Sequence, residues 1–354
     1  MVATIRDVAK KAGVSVATVS RLVNGTGRVR DETANRVRAA INDLGFRPNA
    51  VGRNLSSANT RSLGVVIPSL NNPVFADAVA GISAEARARG YTLMFTSTDY
   101  SPDDELRTVS TLLDYRVDGL ILTVADAMKS SVPGMLKSAG VPYVLIYNQP
   151  CANEHPTVTV DNIAAGREVA RTLIKLGHER LGMVSGQFAA SDRARARRDG
   201  FMDGAAERGL AAPTVLEVDF VLPHLEETLG PIYDERETAP TALFCSNDLL
   251  AISVIGTLGR MGLDVPNDVS VIGFDGIAVG THLHPTLATV IQPSHEMGRA
   301  ATRQLLDRLV GKDCPMTEIL PYTIRIGESA GLAAKPNPAA LRNPTQHIQR
   351  RSRK

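Results

Sequence analysis

Hydrophobic positions recur at helical spacing in two short segments near the N-terminus, Ile5 to Lys11 and Val16 to Val23, around a Gly-Val-Ser turn. In the first, Ile5, Val8, Ala9 and Ala12 share one face. Gly13 can take the left-handed conformation of a sharp turn, Val14 plugs the space beneath it, and Ser15 stands where a helix N-cap belongs. In the second, Val19, Leu22 and Val23 face inward and leave Val16, Ala17, Ser20 and Arg21 outward. This is the layout of a helix-turn-helix, whose second helix enters a DNA major groove with its N-terminal residues leading. An αα-hairpin that only packs is the plainer alternative. A third helix is predicted over 31–44, with Val37, Ala40, Ile41 and Leu44 inward and Gly45 as its C-cap. Pro48 then blocks continuation, and Asn49 can cap a new short helix, which Gly52 weakens by about 1 kcal/mol.

From Leu63 the pattern changes to short apolar strands alternating with amphipathic helices. Strands are predicted at Leu63–Ile67, Tyr91–Ser97, Gly119–Leu122, Val141–Ile146 and Thr157–Val160. A second set follows at Leu181–Ser185, Val215–Val218, Ala242–Cys245 and Val269–Phe274. Helical patterns such as Phe75–Arg89, Ile163–Leu176 and Leu249–Met261 lie between them. Repeated strand–helix units predict an α/β core of doubly wound parallel sheets, and this many strands suit two similar lobes better than one sheet. Two lobes imply a cleft at the strands' carboxyl ends, where small ligands bind in such sheets.

Charge sharpens the picture. The 354 residues carry a formal net charge of only +2, but residues 1–61 have a net of +7 and residues 62–331 a net of −11. A positive head on a negative body argues for a polyanion partner at the head and against DNA wrapping the body. The basic, Pro- and Asn-rich tail, 332–354, reads as disordered. The N-terminus has no apolar export segment and no run approaches membrane-spanning length, so a soluble, cytoplasmic protein is expected. Cys151, Cys245 and Cys314 have neither zinc nor redox spacing, and Cys245 reads as a buried thiol. His282 and His284 could share one face of an extended segment, but no further ligand lies nearby, and no metal or other cofactor is expected.

Several blocks, in order along the chain, resemble the lactose-repressor (LacI/GalR) family of bacterial transcription regulators over about residues 3–330. They are TIRDVAKKAGVSVATVSRLVNG, LGFRPNAVGRNL, LGVVIPSLNNPVF, VDNIAAGREVARTLIKLGHERLG, RRDGF, PTALFCSNDLLAI, VPNDVSVIGFD and QPSHEMG. The resemblance implies a homodimer whose paired heads read a pseudo-palindromic operator in double-stranded DNA, with pairing of dimers into tetramers left open. It also implies a core like that of periplasmic binding proteins. The expected domains are a helix-turn-helix head at 1–46, a hinge helix and linker at 47–60, an effector-binding and dimerisation core at 61–331, and the tail at 332–354. Within the core, the N-lobe is expected at about 61–160 and 292–321, and the C-lobe at about 161–291 and 322–331.

Matching motif positions imply that Val16, Ala17 and Arg21 face base edges, while Thr4, Ser15, Ser20, Asn24 and Arg28 lie near phosphates or groove walls. Arg21 can fork onto guanine O6 and N7, and Val16 and Ala17 can meet a thymine methyl. Asn49 caps the family's hinge helix, where Leu55 would wedge into the minor groove. Gly52 replaces the usual alanine there, and Arg30 stands where a serine commonly caps the third helix, so that cap is lost or passed to Asp31.

Asp275 follows the strand VSVIGF and should project into the cleft, where its carboxylate can accept hydrogen bonds from ligand hydroxyls. Family positions further imply Arg197 as a donor, Asn247 and Asp161 nearby, and Phe75 and Phe220 as apolar walls. Asp161 or Asp248 could instead cap the following helix, and Phe75 could be ordinary core. Some arginines of RARARR must be solvated surface charges. Ser191 and Arg193 lie in a loop whose residues vary with ligand in this family. If Arg193 and Arg197 both face inward, an anionic ligand such as a sugar acid gains over a neutral sugar, polyol or nucleoside. Leu222–Thr228 departs from the family pattern.

These expectations point to a ligand-controlled transcription regulator, most simply a repressor. A solute-binding protein of a transporter would explain the core alone, but it leaves the basic head unexplained. No GxGxxG, P-loop, GxSxG or HExxH motif suggests an enzyme, and no catalytic residue is assigned.

Overall fold

The computed structural model describes residues 3–24, 27–46, 60–152, 154–220 and 225–333. The expected hinge helix, with Asn49 and Leu55, lies outside these residues, as do 222–224 of the atypical segment and nearly all of the tail.

The N-terminal unit holds three helices, α1 (Ile5–Ala12), α2 (Val16–Asn24) and α3 (Asp31–Leu44). Thr4 and Asp7 start α1 as a reciprocal capping box, which satisfies two orphan backbone donors at once. Gly13 ends it at φ 65°, a left-handed conformation that sends the chain into α2. The N-cap of α3 is Arg30, which makes no side-chain capping bond, while Asp31 and Glu32 place negative charge in its first turn. Val8, Ala9, Ala12, Val19, Val37 and Ala40 form the buried centre, with Ile5, Val14, Leu22, Val23, Ile41 and Leu44 packed around it.

The core contains two six-stranded sheets. The first is built from β1 (Ser62–Ile67), β2 (Thr92–Ser97), β3 (Gly119–Leu122), β4 (Tyr143–Ile146), β5 (Thr157–Val160) and β11 (Thr317–Leu320), in the order β11-β5-β4-β3-β1-β2. The second takes β6 (Leu181–Gly186), β7 (Thr214–Val218), β8 (Ala242–Cys245), β9 (Ser270–Asp275), β10 (Ala288–Ile291) and β12 (Thr323–Arg325), in the order β12-β10-β9-β8-β6-β7. Strands β6 to β10 pair in parallel, and only the edge strand β12 runs antiparallel to its neighbour β10. The chain passes between the sheets three times, after β5, after β10 and after β11. The fold is thus a helical head followed by two doubly wound α/β lobes.

Helices α4 (Pro73–Ala88), α5 (Pro102–Asp114) and α6 (Val132–Ser138) accompany the first sheet. Helices α7 (Asn162–Lys175), α8 (Asp192–Ala206), α9 (Leu225–Asp234) and α10 (Asp248–Arg260) accompany the second, and α11 (Ser294–Leu309) follows β10. Helices α7 and α8 approach so closely that backbone fills the space of missing side chains. A Cβ on Gly166 would lie 2.1 Å from the Arg197 carbonyl oxygen, and one on Gly200 would lie 1.9 Å from that of Ile163. These two glycines let α8 lie against α7, and so fix where the side chains of α8 project. Among the described residues, no helix is long and apolar enough to cross a membrane.

Candidate functional site

Two places bring the sequence-derived residues together. In the head, Val16, Ala17 and Arg21 are exposed on α2 beside half-buried Ser20. The Arg21 stem runs past Gly27, where an added Cβ would sit 3.4 Å from its Cδ. Arg28 is exposed after α2. Thr4 and Ser15 already serve as caps. The Thr4 hydroxyl donates to Asp7 Oδ2 at 2.7 Å, and Ser15 Oγ accepts from the Thr18 amide at 3.2 Å. Their side chains therefore fix the helix starts, and any phosphate they meet competes with these bonds.

In the core, a narrow cavity with about 30 Å³ of free internal space lies between the two lobes. Three helices aim their N-termini at it. Their N-cap residues, Asn72 on α4, Ser191 on α8 and Asn247 on α10, all line the wall, and each side chain accepts a backbone N–H of its own first turn. From α8, Arg193 and Arg197, four residues apart and therefore on one helical face, both reach inward and are buried. Arg197 donates Nε to Asn162 Oδ1 at 2.8 Å and Nη1 to the Ser246 carbonyl at 2.6 Å, and its guanidinium lies 3.4 Å above the Phe274 ring.

Asp275 ends β9 with φ 123°, an unusual backbone state for a side-chain-bearing residue. Its carboxylate accepts Asn72 Nδ2 at 3.2 Å from one lobe and Gln292 Nε2 at 2.8 Å, with Arg197 Nη1 at 3.9 Å. Burial pushes this carboxyl up to about 6 against the opposing pull of Arg197, and burial lowers the Arg197 guanidinium to about 10. Asp248, behind the cavity, accepts Thr289 Oγ1 and the Ile277 amide. Burial, followed by the nearby charge of Asp275, raises it to about 7.

Aromatic rings close the cavity. Phe75 packs edge-on against Tyr147, with centroids 5.5 Å apart. Tyr100, from the loop after β2, stacks on Phe220, from the loop after β7, at 4.1 Å and 6° between planes. That pair joins the two lobes across the mouth. Gly186 makes room for it, since an added Cβ would lie 2.3 Å from the Phe220 ring. Asp161 is placed elsewhere. Its Oδ1 accepts the Ala164 amide at 2.8 Å as the N-cap of α7, and it borders a separate crevice with Asp126 and Arg195 instead of the cavity. Among the described residues, no group of three His, Cys, Asp or Glu side chains could hold a metal ion.

The family description "Periplasmic binding proteins and sugar binding domain of LacI family" matches residues 60–323, and "Bacterial regulatory proteins, lacI family" matches residues 4–49. The chain belongs to the LacI family. Catabolite control protein A of Priestia megaterium is 34% identical over 330 residues, covering 92% of this chain and 98% of that protein. The HTH-type transcriptional repressor PurR of Aliivibrio salmonicida (strain LFI1238) is 34% identical over 315 residues, covering 88% and 93%. Among solved structures, a LacI-family transcriptional regulator from Silicibacter pomeroyi has a TM-score of 0.81 at 28% identity, covering 93% of this chain and 99% of that one. This LacI-family chain is therefore a transcriptional repressor with a DNA-binding and an effector-binding domain.

Within the repressor's cavity, sequence reasoning missed Asn72, Tyr100, Tyr147, Ser246 and Gln292. Asn72 had a readable signal, because Asn before Pro marks a helix start at a strand's carboxyl end. Tyr100, in an irregular loop, had none.

Proposed function

We propose that this repressor binds a pseudo-palindromic operator as a homodimer in the cytoplasm, and that a small molecule held in the interlobe cavity controls that binding. The effector is a sugar, polyol, sugar acid or nucleoside. Val16, Ala17 and Arg21 read base edges, and Ser20, Asn24 and Arg28 set the register on the backbone together with the helix starts at Thr4 and Ser15. A homodimer presents two such heads to two half-sites related by the same two-fold axis. At the centre, Leu55 of the hinge, capped by Asn49, wedges into the minor groove.

The carrying observation is the joint between the lobes. Asn72, Tyr100 and Tyr147 from one side meet Asp275, Arg197 and Phe220 from the other around one cavity. A ligand that touches both walls binds the closed arrangement better than an open one, and so changes the state of any element attached to both lobes. Phe75, Arg193 and Asn247 complete the effector contacts.

Replacing Arg21 with Ala should weaken operator binding by about 1–3 kcal/mol while leaving affinity for scrambled duplex nearly unchanged. Fluorescence anisotropy with both duplexes checks this, and equal losses on the two would remove Arg21 from base reading. Absence of any preference for promoter DNA, with and without candidate effectors, would sink the whole reading.

A further inference from the structure

The donors in the interlobe cavity outnumber its open acceptors. Arg193 gives Nη1 to the Val124 carbonyl at 3.1 Å and lies 3.4 Å from Asp192 Oδ1, but Nε and Nη2 have no protein acceptor among the described residues. Arg197 uses Nε and Nη1, which leaves its Nη2 in the same position. The carboxylate beside Arg193 is already engaged. Asp192 Oδ2 accepts the Ala127 amide at 3.2 Å, Asn148 Nδ2 at 2.8 Å and the Gln149 amide at 3.2 Å. It faces those donors and is absent from the cavity wall.

The positive ends of α4, α8 and α10 add to this field, and these helices run for 16, 15 and 13 residues. One feature has the opposite polarity. Gln292, only 5% exposed, lines the cavity with an Oε1 that has no hydrogen-bond partner, beside the Asp275 carboxylate. A ligand that suits both ends carries an anionic oxygen pair toward α8 and hydroxyl donors toward Gln292 and Asp275. The aromatic walls suit the C–H faces of a short carbon chain or ring.

We propose that the effector is a small polyhydroxy acid, its carboxylate held by Arg193 and the free Arg197 Nη2 and its hydroxyls by Asp275 and Gln292. This rests on reading the cavity as the effector site. A guanidinium whose Nη2 and Nε are free offers the two parallel N–H groups that a carboxylate accepts. A neutral sugar leaves that fork without a charged partner.

Isothermal titration of the full-length protein, without DNA, tests the assignment. The probes are D-gluconate, D-glucuronate and D-galacturonate, set against D-glucitol, D-glucose, D-galactose and D-glucuronamide. At least one acid is expected to bind more than about tenfold tighter than its neutral counterpart, because a charge-assisted bidentate pair is lost in the latter. The amide has nearly the shape of glucuronate without its charge, so it isolates the charge on unmodified protein. Arg193→Gln should bring the preferred acid down to the level of its neutral counterpart. The assignment is overturned if no acid binds, if neutral probes bind as tightly, or if the preference survives in R193Q. A promoter-binding assay on the same preparation separates the two levels. Operator binding that responds to a neutral sugar keeps the regulatory reading and removes the acid. Loss of all promoter preference removes the regulatory reading, and the titration still decides which ligand the cavity takes.

Discussion

Arg197 shows how one side chain can be both scaffold and contact. It bonds Asn162 on α7 and the Ser246 carbonyl ahead of α10, and its Cζ sits 3.4 Å over the Phe274 ring of β9, so it ties three elements of the second lobe together. Lysine has neither the planar face nor the fork. Arg197→Lys should therefore lower unfolding stability by about 1–3 kcal/mol, read as a lower urea midpoint at unchanged slope. A midpoint equal to wild type would mean that these bonds stabilise nothing. This role was hidden in the sequence for a physical reason. In RARARR, arginines alternate with alanines, and nothing in composition tells which guanidinium finds a buried carbonyl and which reaches water. The structure divides them: Arg193 and Arg197 point inward, while Arg195 and Arg198 stay about one-third exposed, at 30% and 31%.

At the scale of elements, the alternating pattern placed most strands and helices to within a residue or two. Gly119–Leu122, Thr157–Val160 and Ala242–Cys245 were placed to the residue. Apolar runs between turn residues carry that signal because both faces of a parallel sheet are covered. Among the elements it left out, three lack a clear apolar stripe, whereas the buried interior strand β10 was missed despite its apolar run. Helix α8 has a charged inward face, and β11 and β12 are edge strands with exposed positions such as Ile319. The glycine pair between α7 and α8 adds a constraint of its own. Gly166→Ala puts a methyl within 2.1 Å of a backbone oxygen. The helices must separate, at about 1–3 kcal/mol of stability. Gly134, inside α6 with nothing within 4 Å of its would-be Cβ, should behave oppositely. Gly134→Ala should stabilise by about 0.4–1 kcal/mol by restricting the unfolded chain. Thermal denaturation of the two variants side by side should move their midpoints in opposite directions. Movement in the same direction would show that the close approach of α7 and α8 is not what limits substitution.

For the whole molecule, the acids behind and inside the cavity make stability depend on pH. In the unfolded chain Asp248 titrates near its ordinary value of 3.8, while burial and the charge of Asp275 raise it to about 7 in the folded protein. Between these values the folded state binds the extra proton. Its contribution is fully present below about pH 4 and is lost as pH rises through about 7, at no more than about 1.4 kcal/mol per pH unit. Asp275, raised to about 6, acts in the same direction. His155 and His178, lowered by burial from 6.5, act in the opposite direction, because the unfolded chain binds their protons more readily. The raw pH profile therefore mixes signs, and a variant must isolate the acid. Asp248→Asn removes the ionisation and leaves an amide whose oxygen can take the Ile277 N–H while its NH₂ donates to Thr289 Oγ1. Relative to wild type, the variant should gain about 2 kcal/mol between pH 5 and pH 8, whatever its offset at either end. Urea unfolding at the two pH values measures that difference directly. An offset that stays constant would mean that Asp248 carries the same charge in the folded and unfolded chain, and that water reaches this side of the joint.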